Sequence, residues 1–163
     1  MPLYWFQPRD QASTEYRLER FPSFIWELPN GDGLWGHGSG DGFGIKIGID
    51  HHTTEVGQVQ VDPDELDRYI HLREDIELLA SAVERAFPGI DPRPDKVLPC
   101  MVTDSPDGQF LVGRPGGHPR LVVAGGDSGH GFKHCGGLGE LLAQLTVGET
   151  PYCETGFLDP DRF

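Results

Sequence analysis

A glycine-rich segment, SGHGFK at residues 128–133, constrains this chain more than any other feature. Before it, the apolar run LVVA at residues 121–124 is typical of a buried strand. After it, leucines recur at helical spacing and predict one apolar helix face: Leu138, Leu141, Leu142 and Leu145. A strand, a glycine turn and a helix start allow the backbone to approach a ligand closely, and the helix dipole favours an electron-rich group. The segment indicates either an anion or cofactor site or a tight turn that packs helix on strand.

Composition limits the class of protein. The chain has 163 residues, enough for one domain with a buried core, and its 23 glycines and 14 prolines indicate many turns. A net charge of -13 opposes binding to nucleic acid or to an anionic membrane. Three scattered cysteines are too few for a disulfide framework or a cysteine-rich zinc site. We expect no nucleic-acid, membrane or metal partner, and a reducing cytoplasm as the compartment.

The pattern of apolar residues predicts an α+β fold with a mostly antiparallel sheet and two or three helices. Strands are expected at residues 3–6, 22–28, 34–37 and 45–49. A helical turn is expected to begin at 62–65, and a longer amphipathic helix covers 76–87. Residues 96–103 and 109–112 predict a strand pair around a turn at 105–108.

Several motifs occur together along the chain. They are SGHGFK followed by GxGELLAQL, the stretches at residues 29–48 and 99–116, and the closing Asp161-Arg162-Phe163. In order and spacing they resemble the C-terminal region of the sarcosine oxidase and N-methyltryptophan oxidase family. The resemblance implies a D-amino-acid-oxidase-like fold and FAD-dependent oxidation of a secondary amine or N-methyl amino acid to an imine, with oxygen reduced to hydrogen peroxide. It also implies that residues 1–97 form a substrate-domain-like region and residues 98–163 the flavin-contacting part of the FAD domain.

The resemblance implies roles for three residues before the glycine segment. Cys100 falls where the family joins FAD covalently through a thioether, although by itself it would be read as a small buried hydrophobe. Lys46 matches the lysine that lies over the flavin face, where a fixed cation stabilises the charge of oxygen reduction. By pattern alone Lys46 would face water. His51 lies one position beyond the family's active-site histidine, so it keeps that catalytic role only if the strand carries a bulge.

The glycine segment is implied to contact the flavin. Its backbone would face the pyrimidine edge of the ring and stabilise negative charge there in the reduced state. The implied cofactor-binding residues are Gly129, His130, Gly131, Phe132 and Lys133. Lys133 also matches the family lysine that pairs with the substrate carboxylate, and an ordinary surface lysine is the alternative.

The nucleotide-binding half of the family fold has no counterpart in this sequence. No G-x-G-x-x-G opens a strand–helix unit with an acidic residue about 20 positions on, which is the dinucleotide fingerprint. We therefore expect the isolated chain not to bind FAD tightly. Three alternatives stay open: a C-terminal piece that works with a separate N-terminal FAD-binding chain, an inactive truncated remnant, or a small binding or interaction domain without flavin. Unpaired strand edges would also favour self-association.

Overall fold

The computed structural model describes residues 2–40, 42–50, 61–71 and 76–163. The chain divides into two compact units, Met1–Met101 and Val102–Phe163. Each unit has its own buried core.

The first unit is built on one five-stranded antiparallel sheet. Its strands are β1 (Pro2–Phe6), β2 (Phe24–Glu27), β3 (Gly33–His37), β4 (Ile45–Asp50) and β5 (Lys96–Pro99). Their order across the sheet is β2-β3-β4-β1-β5. The register sets Trp5 of β1 directly opposite Lys46 on one side and Lys96 on the other. Residues directly opposite one another in antiparallel strands share a face, so these three side chains form one row across the sheet.

The core of the first unit lies on the other face of the sheet. Alternate strand residues are buried there: Tyr4, Phe6, Leu34, Ile45 and Ile47. Helix α1 (Leu78–Ala86) completes this core with Leu79, Ala82 and Val83. The strand burial has period two and the helix burial follows the i, i+3, i+4 spacing that faces one side. Burial of each large apolar side chain stabilises the fold by about 1.5–3 kcal/mol.

The second unit combines a strand pair with a helix. Strand β6 (Leu111–Gly113) pairs antiparallel with β7 (Val123–Gly125), and helix α2 (Cys135–Val147) follows. Its core contains Val112, Leu141 and Leu158, with the other predicted helix-face leucines packed against them. Gly148 ends α2 in the left-handed conformation, with φ 79°, and its N–H donates to the carbonyl of Gln144. Arg114 donates from Nη2 to the carbonyl of Leu145 at 2.6 Å, which places a cation at the negative end of the helix.

The predicted α+β class and mostly antiparallel sheet are confirmed, as are both amphipathic helices. The turn at 62–65 also forms, because the side chain of Asp62 accepts a hydrogen bond from the backbone N–H of Asp64.

The predicted pairing of residues 96–103 with 109–112 is wrong. The turn between them exists, with the N–H of Gly108 donating to the carbonyl of Ser105 at 3.1 Å. However, β5 ends at Pro99 and pairs with β1, while β6 pairs with β7. A local turn signal does not specify long-range partners, and each strand joins the sheet of its own unit. The strand predicted at 121–124 likewise begins later, at Val123.

An ion pair ties the chain's last residues to the turn at 105–108. Arg162 donates from Nη2 to Oδ1 of Asp107 at 2.7 Å and from Nε to Oδ2 at 2.9 Å. The N–H of Gln109 and the hydroxyl of Ser105 also donate to Oδ1 of Asp107. These hydrogen bonds, that of Arg162 above all, hold the pKa of Asp107 well below its usual range, and Asp107 raises the pKa of Arg162.

We expect Asp107→Asn to destabilise the chain near pH 7. The difference in the free energy of unfolding between the variant and the unmodified chain should narrow below about pH 4. A carboxyl whose folded-state pKa is lowered favours folding above its ordinary pKa of about 3.9, and this contribution fades as the pH falls towards the folded-state value. Urea titrations followed by circular dichroism, near neutral pH and near pH 3.5, measure both differences. Asp104→Asn, at an exposed neighbour, is the matched control. A destabilisation of equal size at both pH values would contradict the assignment.

Candidate functional site

Lys46 lies on the face of the sheet opposite the core, among aromatic rings. Its Nζ is 5.7 Å from the ring centroid of Trp5 and 5.4 Å from that of Trp35. The Nζ of Lys96 lies 4.9 Å from the same Trp5 ring and 5.9 Å from the ring of Phe43. Ring faces attract ammonium groups within about 6 Å, so the aromatic side chains hold both cations in place. The face is therefore cationic and aromatic at the same time.

A glycine on β4 makes room for the Trp35 ring. A Cβ at Gly48 would lie 2.3 Å from Cζ2 of Trp35, which no real side chain could do without moving that ring. The indole Nε1 also donates to Oδ1 of Asp50 at 3.0 Å. With one side of the ring against Gly48 and its N–H fixed, Trp35 is held where its ring faces Lys46. The sequence pattern GIKIGID encodes this arrangement, because residues 46, 48 and 50 share one face of the strand.

Cys100 follows β5 and is half-buried, with its thiol donating to the carbonyl of Met101 at 3.5 Å. It lines a cavity of about 180 Å³ together with Pro2 at the start of β1, its pairing partner Pro99 at the end of β5, and residues of the segment 66–71. In that segment Nε2 of His71 lies 2.8 Å from Oδ2 of Asp67. This hydrogen bond lowers the pKa of Asp67. The predicted flavin-linking cysteine therefore shares a cavity with an imidazole–carboxylate pair.

The SGHGFK segment forms a turn of unusual backbone conformation in the second unit. Gly126, Ser128 and Gly129 have φ values of 64°, 47° and 77°. The left-handed region costs a residue with a side chain roughly 1–2 kcal/mol, and Ser128 is such a residue. Its N–H donates to the carbonyl of Thr103 at 3.0 Å, and its hydroxyl accepts from the N–H of Ser105 at 3.4 Å. These contacts keep the strained turn in place, and strain of this kind is concentrated at ligand sites.

The five residues predicted to contact the flavin differ in their surroundings. His130 contacts the protein: its Nε2 lies 3.1 Å from the carbonyl oxygen of Gly108, and its ring lies 5.2 Å from that of Phe110. A Cβ at Gly131 would lie 2.7 Å from Oδ2 of Asp127, so the turn requires glycine there.

The remaining members of the turn present backbone or exposed side chains. A Cβ at Gly129 would meet only Cγ1 of Val102, at 3.7 Å. The side chain of Phe132 is 92% exposed, and Lys133 is exposed beside it. Both lie in a short 3₁₀ turn, Phe132–His134, that leads directly into α2. The turn therefore presents an aromatic ring and a cation next to the positive end of a helix.

The predicted site residues fall in both units. Lys46 and Cys100 belong to the first unit and the SGHGFK turn to the second. His51 lies outside the described residues. Sequence reasoning missed Trp5, Trp35 and Lys96, which need the strand register to be found. The alternation of side chains along LYWF, residues 3–6, could have placed Trp5 on the face opposite the core, because its chain neighbours Tyr4 and Phe6 are both core residues.

Two further features are absent from the described ranges. No helix there is long and apolar enough to cross a membrane. Within the same ranges no three His, Cys, Asp or Glu side chains are grouped so that they could hold a metal ion.

Known proteins resemble this chain over most of its length. A family model described as FAD dependent oxidoreductase matches residues 7–145. The monomeric sarcosine oxidase of Streptomyces avermitilis is 34% identical, over 98% of this chain and 41% of that protein. The N-methyl-L-tryptophan oxidase of Salmonella newport is 32% identical, over 90% of this chain and 37% of that protein. The peroxisomal sarcosine oxidase of Homo sapiens is 30% identical, over 91% of this chain and 37% of that protein.

The fold also has a counterpart among solved structures. The open form of NikD, described as an unusual amino acid oxidase essential for nikkomycin biosynthesis, matches with a TM-score of 0.68 and 20% identity. The match covers 98% of this chain and 41% of NikD, so here too the chain spans less than half of its relative. Together with the family model, these similarities show that the chain belongs to the FAD-dependent oxidoreductase family, as a homologue of monomeric sarcosine oxidase and N-methyltryptophan oxidase.

Proposed function

We propose that this chain supplies the amine-binding side and the flavin-ring contacts of an FAD-dependent amine oxidase. The reaction is oxidation of a secondary amine or N-methyl amino acid to an imine, with oxygen reduced to hydrogen peroxide. The observation that carries the proposal is the position of Lys46, whose ammonium lies between the rings of Trp5 and Trp35 on the face opposite the core. The chain spans 41% of a sarcosine oxidase, so the activity is assigned to the chain together with the remainder of the family fold.

Each unit, taken by itself, contains residues that fit the ring end of a flavin. Lys46 offers a fixed cation on an aromatic surface, and the turn at Gly129 has space where a side chain would otherwise stand. The start of α2, beside that turn, favours negative charge. The sequence contains no dinucleotide fingerprint, so the anchors for the pyrophosphate and ribose are not among the residues that fit. When bound, FAD supplies the two-electron acceptor for the hydride on the carbon next to the amine.

Each residue then has a defined task. The ammonium of Lys46 stabilises the negative charge that develops on dioxygen as it accepts electrons. Lys133 pairs with the carboxylate of an amino-acid substrate through a charge-assisted hydrogen bond. Cys100 would hold the ring through a thioether between its sulfur and the ring's methyl carbon, a link whose formation would pass two protons and two electrons to dioxygen as hydrogen peroxide.

We also propose that the chain works in contact with a further polypeptide. The partner is a separate N-terminal FAD-binding chain, and a second copy of this chain is the alternative. Support comes from β2, which is at the edge of the sheet and leaves Ile25 87% exposed, and from the exposed ring of Phe132. Unpaired strand edges and large exposed apolar side chains favour association. The same surfaces would serve the alternative function, a small interaction domain without flavin.

We expect Lys46→Met, in the enzyme completed by co-expression with an N-terminal FAD-binding domain of a relative, to slow reoxidation of the flavin about a hundredfold. Loss of one preorganised charge of this kind costs about 3 kcal/mol. The rate at which the amine reduces the flavin should change far less. Stopped-flow absorbance measures both steps. Lys96→Met, which removes the neighbouring cation of the same row, is the matched control. Unchanged reoxidation in Lys46→Met, or an equal loss in both variants, would refute the assignment.

We expect Lys133→Ala to weaken binding of carboxylate-bearing inhibitors about ten- to a hundredfold, because a charge-assisted hydrogen bond contributes about 1.5–3 kcal/mol. Binding of neutral amines should stay within about twofold. Flavin absorbance titrations measure both affinities in the same completed enzyme. Arg120→Ala removes an exposed cation elsewhere in the second unit and serves as the control. If both ligand types lose affinity equally, Lys133 only supports the fold.

We expect the chain expressed alone with ample FAD to carry no covalent flavin after denaturation. With the N-terminal domain co-expressed, its mass should rise by one FAD per chain. Mass spectrometry detects the adduct, and Cys100→Ser should abolish it while Cys135→Ser and Cys153→Ser leave it intact. A stoichiometric adduct on the chain alone would overturn the first expectation, and an adduct that survives in Cys100→Ser would overturn the second.

A further inference from the structure

The two tryptophans beside Lys46 differ in the cations that they contact. Trp5 is shared, because its ring centroid lies 5.7 Å from Nζ of Lys46 and 4.9 Å from Nζ of Lys96. The ring of Trp35 lies 5.4 Å from Nζ of Lys46, and within the described part of the chain no second ammonium stacks on it. Lysine carries its charge at the end of a flexible four-carbon stem. A ring that attracts this one ammonium therefore determines where the charge of Lys46 is held.

The sheet fixes the position of Trp35 relative to Lys46. Strand β3 lies between β2 and β4, and its Trp35 is paired with Gly48 of β4. Lys46 is two residues before Gly48 on the same face, so it is the diagonal neighbour of Trp35, a distance that aromatic and long side chains can span. The indole occupies the space that a side chain at Gly48 would need, since a Cβ there would collide with Cε2, Cζ2 and Cη2 of the ring.

Asp50 acts on the same ring through a hydrogen bond. The indole Nε1 donates to Oδ1 of Asp50 at 3.0 Å, which restricts rotation of the ring. Donation to a carboxylate also polarises the indole and makes its face more negative, which strengthens the attraction for an ammonium. Residues 46, 48 and 50 alternate along β4 and share one face, so Gly48 and Asp50 both act on Lys46 through Trp35.

We propose that Trp35, oriented by Asp50 and accommodated by Gly48, is the positioning residue for the ammonium of Lys46. The inference rests on the proposed function, in which this ammonium stabilises the negative charge that develops on dioxygen. A charge that is already in place when the reaction begins is effective because it does not have to reorganise. Trp35 acts through Lys46, so it affects reoxidation of the flavin and leaves its reduction by the amine unchanged.

NMR of the chain alone tests the positioning without flavin. Each lysine carries ¹³C-labelled methyl groups, and ring currents make their resonances sensitive to a nearby indole. We expect Trp35→Leu to move the Lys46 resonance towards that of exposed Lys133 and to leave the Lys96 resonance unchanged. Phe43→Leu removes a ring beside Lys96 and is the matched control, which should move the Lys96 resonance alone. A Lys46 resonance that does not respond to Trp35→Leu overturns the proposal.

Four further variants separate positioning from the mere presence of a bulky side chain. Gly48→Ala keeps every aromatic ring but displaces the indole, so it should move the Lys46 resonance as Trp35→Leu does. Trp35→Phe keeps a ring at this position and should retain part of the original shift. Asp50→Ala should reduce the shift, and Asp50→Asn should reduce it less, because its amide oxygen still accepts from the indole. An unchanged Lys46 resonance in Gly48→Ala contradicts the proposal.

Kinetics in the completed enzyme test the consequence for the reaction. Loss of one cation–aromatic contact in Trp35→Leu should slow flavin reoxidation about tenfold. The rate of reduction by the amine should stay close to that of the unmodified enzyme, and Phe43→Leu should leave both rates unchanged. If Lys46→Met slows reoxidation while Trp35→Leu does not, the positioning role is refuted and the proposed function stands. If Lys46→Met itself reoxidises at the normal rate, the proposed function fails and this inference fails with it, so the two failures are distinguishable.

Discussion

The alternation of side chains along β1 determines the arrangement of the first unit. Tyr4 and Phe6 point into the core, so Trp5 must lie on the other face. Antiparallel pairing then brings Lys46 and Lys96 beside the Trp5 ring from the two flanking strands. A slip of one residue would bury the lysines and expose the core, which fixes the register strongly. The cationic and aromatic face is thus a direct consequence of how the core is packed.

In the first unit the candidate site residues are positioned by packing of the core. In the second unit a strained turn is held in place by polar contacts. Its turn holds Ser128 at φ 47°, and the contacts that maintain this conformation come from residues 103–105. Those residues lead into the turn that Arg162 ties down through Asp107. His130 adds a second connection through the carbonyl of Gly108. The backbone next to the start of α2 is therefore held in place by a polar network, which is what a rigid contact for a planar ligand needs.

Short-range sequence patterns correctly predicted the features that depend on residues close together in the chain. The period-two strands, the leucine face of α2 and the Asp62 cap follow from short-range rules, and all were found. The pairing of residues 96–103 with 109–112 was wrong, because strand partners are chosen by long-range packing. For the same reason the sequence did not reveal the Lys96–Trp5 contact or the cavity shared by His71 and Cys100. His130 was predicted to contact flavin from its motif, while its contacts with Gly108 and Phe110 depend on the fold.

Lys46 and Lys96 lie against aromatic rings on the face opposite the core, and NMR tests this placement directly. The chain's lysines are Lys46, Lys96 and Lys133, so ¹³C-methylation of the lysines gives a simple NMR spectrum in which arginine substitutions assign each signal. Ring currents should shift the methyl resonances of Lys46 and Lys96 away from that of exposed Lys133, and Trp5→Leu should move both back towards it. Coincident resonances for all three lysines, unaffected by Trp5→Leu, would contradict this account of the sheet.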